Sequence, residues 1–151
     1  MKKPRRPVAL VTGAARRVGR AIALDLAVHG WDVAIHYHSG ARDAATAVRA
    51  VEKAGGRAIA LQADLRDEKL VERLVPEAIK AFGPVTCLVN SAAVFENDGA
   101  KTATRESWDL HMETNLRAPF VLMQAFAARL PKGAGGRSEE HTSELQSRFG
   151  I

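Results

Sequence analysis

The sequence predicts an α/β fold, built as a doubly wound parallel sheet that is truncated after about four strands and four helices. Short apolar runs rich in β-branched residues alternate with longer segments whose apolar residues recur every three or four positions. The runs suit strands buried on both faces of a parallel sheet, and the segments suit helices that cover it. A turn from Gly13 to Gly19 joins the first run to the first helix, which predicts a ligand site beyond the strand ends.

The elements can be placed in order from these periods. Strands are expected at residues 8–12, 31–37, 57–63 and 85–89. Asp67 is expected to cap the third helix, and Pro76 to kink it or leave a ragged middle turn. Helices are expected from about Val18 to His29, from Ala44 to Ala54, from Glu68 to Phe82 with Leu70, Leu74 and Ile79 facing the sheet, and, capped by Thr104, as far as Phe126.

The glycine-containing turn predicts an anion site. The first N–H groups of a helix have no partner within it, and the positive end of the helix dipole points out of the turn, so a pyrophosphate fits there. Gly13 permits the tight turn, and Gly19 allows close packing of helix and strand. The alternative is a strand, turn and helix of the same kind that bind no dinucleotide.

Composition limits the other classes of function. The 151 residues are 46% hydrophobic and carry a formal net charge of +5, with four of the positive charges at Lys2, Lys3, Arg5 and Arg6. We therefore expect a basic flexible tail at residues 1–6 and one domain at 7–131, and no nucleic-acid surface. Cys87 is the only cysteine, so no intrachain disulfide and no metal site are expected. No run has the form of a membrane span or a signal peptide, which predicts a cytoplasmic protein without a membrane partner.

The turn carries a family resemblance. Its form, Thr-Gly-x-x-x-Arg-x-Gly, resembles that of the short-chain dehydrogenase/reductase family, which implies a Rossmann-like domain. The family's usual pattern has a glycine where Arg17 stands, and the version with two basic residues is similar to the pteridine reductase branch. That resemblance implies that Arg17 lies near both cofactor phosphate and substrate. The turn residues expected to bind the cofactor are Gly13, Arg16, Arg17, Val18 and Gly19.

The end of the second strand predicts the choice of cofactor. No Asp or Glu occurs from Val33 to Ala41, so no carboxylate is available for the ribose hydroxyl of NAD, and the phosphate of NADP has room. His36 and His38 are interpreted as polar residues marking the strand exit. The segment is similar to the His-Tyr-His segment of pteridine reductases, and the resemblance implies that His38 and Ser39 contact the 2′-phosphate, although the branch has arginine where Ser39 stands. The alternative is a polar strand end that faces water.

Two further strand ends resemble family motifs. Asp64 and Leu65 follow the third strand, where the family places an aspartate beside the adenine; the alternative is an ordinary turn or cap residue. Residues 90–93 resemble the family's Asn-Asn-Ala-Gly motif, which supports the adenosine ribose and the central sheet. By this resemblance Asn90, Ser91 and Ala92 are cofactor-binding residues.

The resemblance also implies substrate and catalytic residues. Phe95 matches an aromatic residue that stacks on the pterin in pteridine reductases, and with Arg17 it is the predicted substrate contact; the alternative is a loop hydrophobe packed on the sheet. Ala93 stands where that branch commonly has a serine. Asn115 matches the family's active-site asparagine. In the family this residue stabilises a local irregularity in its helix and binds a water that is linked to the catalytic lysine.

The last part of the chain departs from the family. The family's Tyr-x-x-x-Lys motif, which supplies the proton at the substrate oxygen, is absent because Tyr37 is the only tyrosine, and the catalytic serine has no counterpart. No fifth strand is predicted, and 132–151 is expected to be an unstructured, non-native tail. Arg137–Ser147 resembles the conceptual translation of a sequencing-library adapter, so the authentic gene is expected to end near Gly136. A disordered natural tail is the alternative.

These observations predict an NADPH-dependent oxidoreductase of the short-chain type, present as an N-terminal part that is itself inactive. The implied cofactor is NADP(H), and the implied substrate is a small-molecule carbonyl or pterin-like compound. The full-length parent is expected to be a homo-oligomer. The alternative function is a non-catalytic module that binds a dinucleotide without turnover.

Overall fold

A computed structural model describes residues 5–133 and 135–140, and it confirms the α/β fold. All paired strands of the sheet run parallel. The strands are β1 (Val8–Val11), β2 (Asp32–Tyr37), β3 (Ala58–Gln62), β4 (Cys87–Asn90) and β5 (Arg137–Glu140). The helices are α1 (Arg17–Val28), α2 (Ala41–Lys53), α3 (Glu68–Phe82), α4 (Arg105–Met112) and α5 (Ala118–Ala127), with a π-helical segment at Glu113–Arg117 between the last two.

The strand order is β3-β2-β1-β4-β5, so the chain starts at the centre, builds one half of the sheet and then crosses to the other half. Successive β1 residues point to opposite faces. Ala9 and Val11 pack into a cluster with α1 and α2, whereas Val8 and Leu10 pack into a second cluster with α3 and α5. The direction of winding reverses between β1 and β4, which places the topological switch point at the carboxyl end of β1.

The expectation that no fifth strand follows was wrong at residues 137–140. Strand β5 pairs in parallel with β4, with Cys87 opposite Arg137, and the Arg137 N–H donates to the Thr86 carbonyl at 3.0 Å. Pairing at a sheet edge uses main-chain groups, so a polar segment without an apolar period can still form a strand. The remainder of the predicted tail, 141–151, lies outside the described residues.

The predicted flexible tail is anchored at Arg6. Its guanidinium donates from Nε to the Gly30 carbonyl at 3.0 Å and from Nη1 to the Gly55 carbonyl at 2.6 Å. It also lies 3.3 Å from the carboxylate of Asp32, which is fully buried at the start of β2. Arg57 donates to the same carboxylate from its backbone N–H at 3.0 Å and from Nε at 2.9 Å. Two arginines therefore pair a buried charge that would otherwise be strongly destabilising. Residues 1–4 lie outside the described part of the chain.

Helix α3 has the predicted bounds, and Asp67 caps it by accepting from the Lys69 and Leu70 N–H groups at 3.0 and 3.4 Å.

The ragged turn expected at Pro76 is absent, since the helix runs unbroken from Glu68 to Phe82. Proline removes a single N–H donor, and burial of the neighbouring residues against the sheet and α5 holds the helix together. The fully buried face consists of Val71, Leu74, Val75 and Ala78, so Leu70 and Ile79, predicted to face the sheet, lie at its margin.

The predicted long helix is present, but it is not regular. Thr104 caps it in a reciprocal pair with Ser107, in which each side chain accepts from the other residue's backbone N–H. The π-helical segment divides the helix into α4 and α5. In the described residues no helix has both the length and the apolar character needed to cross a bilayer.

Candidate functional site

A cleft of about 700 Å³ lies at the carboxyl ends of β1, β2 and β4. The crossover connections of a parallel sheet bring these ends to one edge, so residues far apart in sequence meet there. Asn90, Phe95 and Asn115 are the predicted site residues that do not line the cleft. The predicted residues that do line it are Gly13, Arg16, Arg17, Val18, Gly19, His38, Ser39, Asp64, Leu65, Ser91 and Ala92.

The turn after β1 has the geometry of an anion cradle. Gly13 has a φ of +64°, and a Cβ on it would lie 2.9 Å from Ala92 Cα. A Cβ on Gly19 would lie 2.5 Å from the Gly13 carbonyl oxygen. Among the described residues, the backbone N–H groups from Ala15 to Gly19 have no hydrogen-bond acceptor. These unpaired donors at the N-terminus of α1 fit a pyrophosphate.

Arg17 adopts a left-handed backbone conformation at the first position of α1. Its φ is 49°, in the region that glycine occupies without steric penalty, and it is the only non-glycine residue among those described with a positive φ. For an L-residue this conformation costs about 1 kcal/mol. The exposed guanidinium lies at the cleft, where it adds a positive charge to the cradle.

Thr12 joins the turn to the segment after β4, a role the sequence analysis missed. Its buried hydroxyl oxygen accepts from the Ser91 and Ala92 N–H groups, both at 3.0 Å, and the hydroxyl lies 3.4 Å from the Val89 carbonyl that it donates to. One side chain thereby fixes the two strand ends that form the centre of the cleft. The available signal was a hydroxyl residue directly before a glycine at the end of a buried strand.

His36 was interpreted as a polar strand exit, but its side chain is buried, with 1% exposed. Its Nδ1 accepts from the Gly13 N–H at 3.2 Å, and its Nε2 lies 3.1 Å from the Ala63 carbonyl. The ring is therefore neutral and protonated on Nε2, because only that tautomer satisfies both contacts. Burial lowers the pKa of His36 to about 4, partly opposed by the hydrogen bond to Ala63, while the nearby His38 lowers it further. His36 thus ties the glycine turn to the end of β3.

We expect the buried ring of His36 to make the protein less stable in acid. The unfolded chain takes up a proton near pH 6.5, whereas the folded protein resists protonation until about pH 4, so stability falls as the pH drops through that window. The loss by pH 4 amounts to about 3 kcal/mol. Urea unfolding at pH 7 and pH 4.5 measures it, and His36→Gln, which does not titrate, should flatten the slope. An equal slope in both proteins would contradict the assignment.

Asp64 holds two basic side chains at the far end of the cleft. Arg66 donates to its carboxylate from the backbone N–H at 2.9 Å and from Nε at 3.0 Å, and His38 Nε2 lies 3.7 Å away. The side-chain hydrogen bonds from Arg66 are the main reason that the pKa of Asp64 is lowered to about 2. Its stabilising effect is lost only below about pH 4, outside the window of His36. Arg66 lines the cleft and was missed by the sequence analysis.

Arg16 reaches the turn between β2 and α2. Its guanidinium forms an ion pair with Asp43 in the first turn of α2. A Cβ on Gly40 would lie 2.8 Å from Nη2 of Arg16, so the guanidinium packs against the backbone of this turn. Arg16, His38 and Ser39 all line the cleft, where they present a guanidinium, an imidazole and a hydroxyl group.

Asn115 lies in the π-helical segment and fastens the loop after β4. Its Oδ1 accepts from the Val94 N–H, and its Nδ2 donates to the Val94 carbonyl, both at 2.8 Å. Asn90, at the end of β4, is buried, and neither its amide nitrogen nor its amide oxygen has a partner among the described residues. Both asparagines thus border the cleft without contributing to its lining.

Phe95 is not among the residues that line the cleft. Its side chain is 87% exposed, and its ring meets His111 edge-on, with 6.4 Å between the centroids. The flanking residues Val94 and Glu96 do line the cleft. Phe95 is therefore an exposed residue between two lining residues, a position here called the cleft mouth, and it does not pack on the sheet.

The chain matches a known protein family and is similar in sequence to curated proteins. Residues 7–138 match the family model described as short chain dehydrogenase. The 3-oxoacyl-[acyl-carrier-protein] reductase FabG of Staphylococcus aureus is 32% identical over 128 residues, which are 85% of this chain and 52% of that protein. The chain spans about half the length of the curated relatives it matches.

Two solved structures are similar to this chain in both fold and sequence. A short chain dehydrogenase from Burkholderia cenocepacia in complex with NADP superposes with a TM-score of 0.87 at 41% identity, covering 96% of this chain and 58% of that one. FolM alternative dihydrofolate reductase 1 from Brucella canis, complexed with NADP, gives a TM-score of 0.84 at 35% identity, covering 89% of this chain and 54% of that one.

Proposed function

The chain belongs to the short chain dehydrogenase family, and we propose that it binds NADP(H) in the cleft described above. We further propose that the parent protein uses this cofactor, which supplies the hydride, to reduce a small-molecule carbonyl or a pterin-like carbon–nitrogen double bond. The observation that carries the proposal is the row of unpaired N–H groups from Ala15 to Gly19, at a cleft that Arg16 and Arg17 also line.

The residues of the cleft have separate roles in this proposal. The amides of the glycine turn bind the pyrophosphate, and Arg16, His38 and Ser39 bind the 2′-phosphate. Asp64 and Leu65 lie beside the adenine, while Asn90, Ser91 and Ala92 support the adenosine ribose. The carboxylate of Asp64 is bonded to Arg66, so its contribution is to hold Arg66 and His38 in place. Arginine is well suited to phosphate because it donates two parallel hydrogen bonds.

Ser39→Asp tests the proposed phosphate end of the cleft. A carboxylate there would repel the 2′-phosphate and accept from ribose hydroxyls, so NADPH affinity should fall by at least about tenfold while NADH affinity holds or improves. Fluorescence titration with both dinucleotides measures the change. Ser39→Asn, which matches the size without the charge, should leave the preference for NADPH intact. If Asp and Asn act alike, Ser39 does not face the phosphate.

We propose that this chain by itself does not catalyse the reduction. The printed sequence contains one tyrosine, Tyr37 in β2, and no Tyr-x-x-x-Lys motif to provide the proton. Asn115 is the retained member of the family's catalytic set, and its hydrogen bonds to Val94 support a role in shaping the site. Titration with NADPH followed by assays with a ketone and with a dihydropterin tests this, with binding and no turnover expected.

The proposal names two classes of substrate, a pterin-like compound and a carbonyl compound. The similarity to FolM, named as a dihydrofolate reductase, supports a pterin-like substrate, and the similarity to FabG supports a carbonyl substrate. The position of Arg17 and Phe95 at the cleft and its mouth supports their proposed contact with the substrate. The alternative function, a dinucleotide-binding module without turnover, is favoured for the chain as printed by the missing motif. Restoring the natural downstream sequence separates the two, because only an enzyme would then gain activity.

An apolar stripe on the long helix supports the proposal that the parent is a homo-oligomer. Its four side chains recur every fourth residue, and each is between 37% and 62% exposed. A contiguous apolar patch on a protein surface is a candidate interaction site. Sedimentation analysis of the parent protein would detect the oligomer, and a monomer would contradict the proposal. The stripe consists of Trp108, Met112, Leu116 and Phe120.

We also propose that the natural sequence departs from the printed one after about Gly136. The support is the resemblance of Arg137–Ser147 to a translated sequencing adapter. Strand β5 is compatible with it, since parallel edge pairing needs only main-chain groups. The nucleotide sequence decides, and a coding sequence unrelated to an adapter would overturn the proposal.

A further inference from the structure

The loop after β4 is held against the long helix at two points. Asn115 bonds to both backbone groups of Val94 at 2.8 Å. Two residues further on, the Glu96 N–H donates to Nε2 of His111 at 2.9 Å. A hydrogen bond at each end therefore restrains the stretch 94–96, which contributes Val94 and Glu96 to the cleft lining.

The contacts of His111 specify its chemical form. Besides accepting from Glu96 at Nε2, the ring has its Nδ1 2.7 Å from the Ser107 carbonyl one helical turn earlier. A carbonyl can only accept, and an amide N–H can only donate. The ring must therefore carry its proton on Nδ1 and leave Nε2 as the acceptor. A side chain that only packs, or only donates, could not replace it.

The same ring contacts Phe95. The two rings meet nearly at right angles, with an interplanar angle of 77°, in the edge-to-face geometry favoured by aromatic pairs. The Phe95 side chain is 87% exposed, so burial in a core does not determine its position. Its described ring contact is the one with His111.

We propose that His111 is a positioning residue that fixes the wall of the cleft formed by residues 94–96 and holds the Phe95 ring at the cleft mouth. It acts through the Glu96 backbone and the Phe95 ring and contacts no ligand itself. The use of this wall for a nucleotide and an aromatic substrate rests on the proposed function. The fastening of the loop does not, so the two can be tested separately.

Amide hydrogen exchange of the ligand-free chain tests the fastening. His111→Phe retains a flat ring for Phe95 and removes the acceptor, so the protection of the Glu96 amide should fall by about tenfold or more. His111→Gln places an amide oxygen where Nε2 was, so it should restore most of the protection. The Val94 amide, held by Asn115, serves as the internal control and should be unchanged in both variants.

Two outcomes of the exchange experiment would overturn the proposal. One is unchanged protection of Glu96 in His111→Phe, and the other is a loss in His111→Gln as large as in His111→Phe. The wild-type chain provides a test that needs no variant: nitrogen-15 spectra of the ring should show Nδ1 protonated and Nε2 bare. A ring protonated on Nε2 would equally overturn it.

A parallel NADPH titration separates this inference from the proposed function. If the chain binds NADPH, His111→Phe should weaken binding by about threefold to tenfold, with His111→Gln close to wild type. If the wild-type chain does not bind NADPH, the proposed function fails while the exchange result still decides the role of His111. If His111→Phe binds NADPH as tightly as wild type, the loop wall does not serve the nucleotide, and that part of the inference is overturned.

Discussion

Gly19→Ala is expected to destabilise the protein by about 3 kcal/mol and to remove NADPH binding at concentrations that saturate the wild-type chain. The added Cβ would lie 2.5 Å from the Gly13 carbonyl oxygen, 2.9 Å from the Gly13 carbonyl carbon and 3.0 Å from Ala14 Cα. All three are backbone atoms, so no flexible side chain can move aside. Relief requires α1 to shift away from the turn, which disperses the N–H groups of the cradle.

The direction of the stability change in Gly19→Ala distinguishes a steric clash from an effect of helix propensity. In a helix, alanine is normally more stable than glycine by about 1 kcal/mol, so helix propensity alone predicts that Gly19→Ala stabilises the protein. Gly99→Ala, outside the helices, controls for an added methyl group without a clash, because a Cβ on Gly99 would meet nothing within 4 Å. Urea unfolding and NADPH titration of both variants provide the measurement. Wild-type stability in Gly19→Ala would mean that α1 is not packed on the turn as described.

Thr12→Val is expected to cost about 2–4 kcal/mol and to weaken NADPH binding at least about tenfold. Valine has nearly the same shape as threonine but cannot accept the Ser91 and Ala92 N–H groups, which now donate to the hydroxyl at 3.0 Å. Thr12 is 1% exposed, so water cannot readily replace the lost acceptor. The two strand ends at the centre of the cleft would lose their shared anchor.

Thr12→Ser is the control, since it retains the hydroxyl and removes only a methyl group. It should remain within about 1 kcal/mol of wild type, as a small truncation of a buried side chain does. Chemical unfolding and the same titration distinguish the variants. If serine is as damaging as valine, the methyl group rather than the hydroxyl matters, and the hydrogen bonds at Thr12 have little weight.

The parts of the fold that were predicted correctly depend on burial. Residues such as Val8 and Leu10 lie in a strand covered on both faces, and their uninterrupted apolar character marks that environment directly. Helix α3 was equally clear, because its cap at Asp67 and its stop at Gly83 both leave a signature in the sequence. Strand β5 was missed because main-chain pairing at a sheet edge leaves no such signature.

At the cleft, the lining includes most of the residues that sequence motifs had indicated, but not Asn90, Phe95 or Asn115, and the residues that connect the motifs were not predicted. His36 has the sequence context of an exposed strand end, yet it is buried, and its ring contacts the glycine turn and the end of β3. The link between Thr12 and residues 91 and 92 spans about eighty positions, so no local pattern could indicate it. His111 lacked a recognised motif altogether.

The left-handed backbone at Arg17 has a consequence for how this position can vary. A glycine there would relieve the conformational penalty but remove the guanidinium, whereas a neutral L-residue would keep a penalty and lose the positive charge. Backbone relaxation and attraction for an anionic ligand therefore impose opposite requirements on residue 17, since glycine satisfies the first and arginine the second.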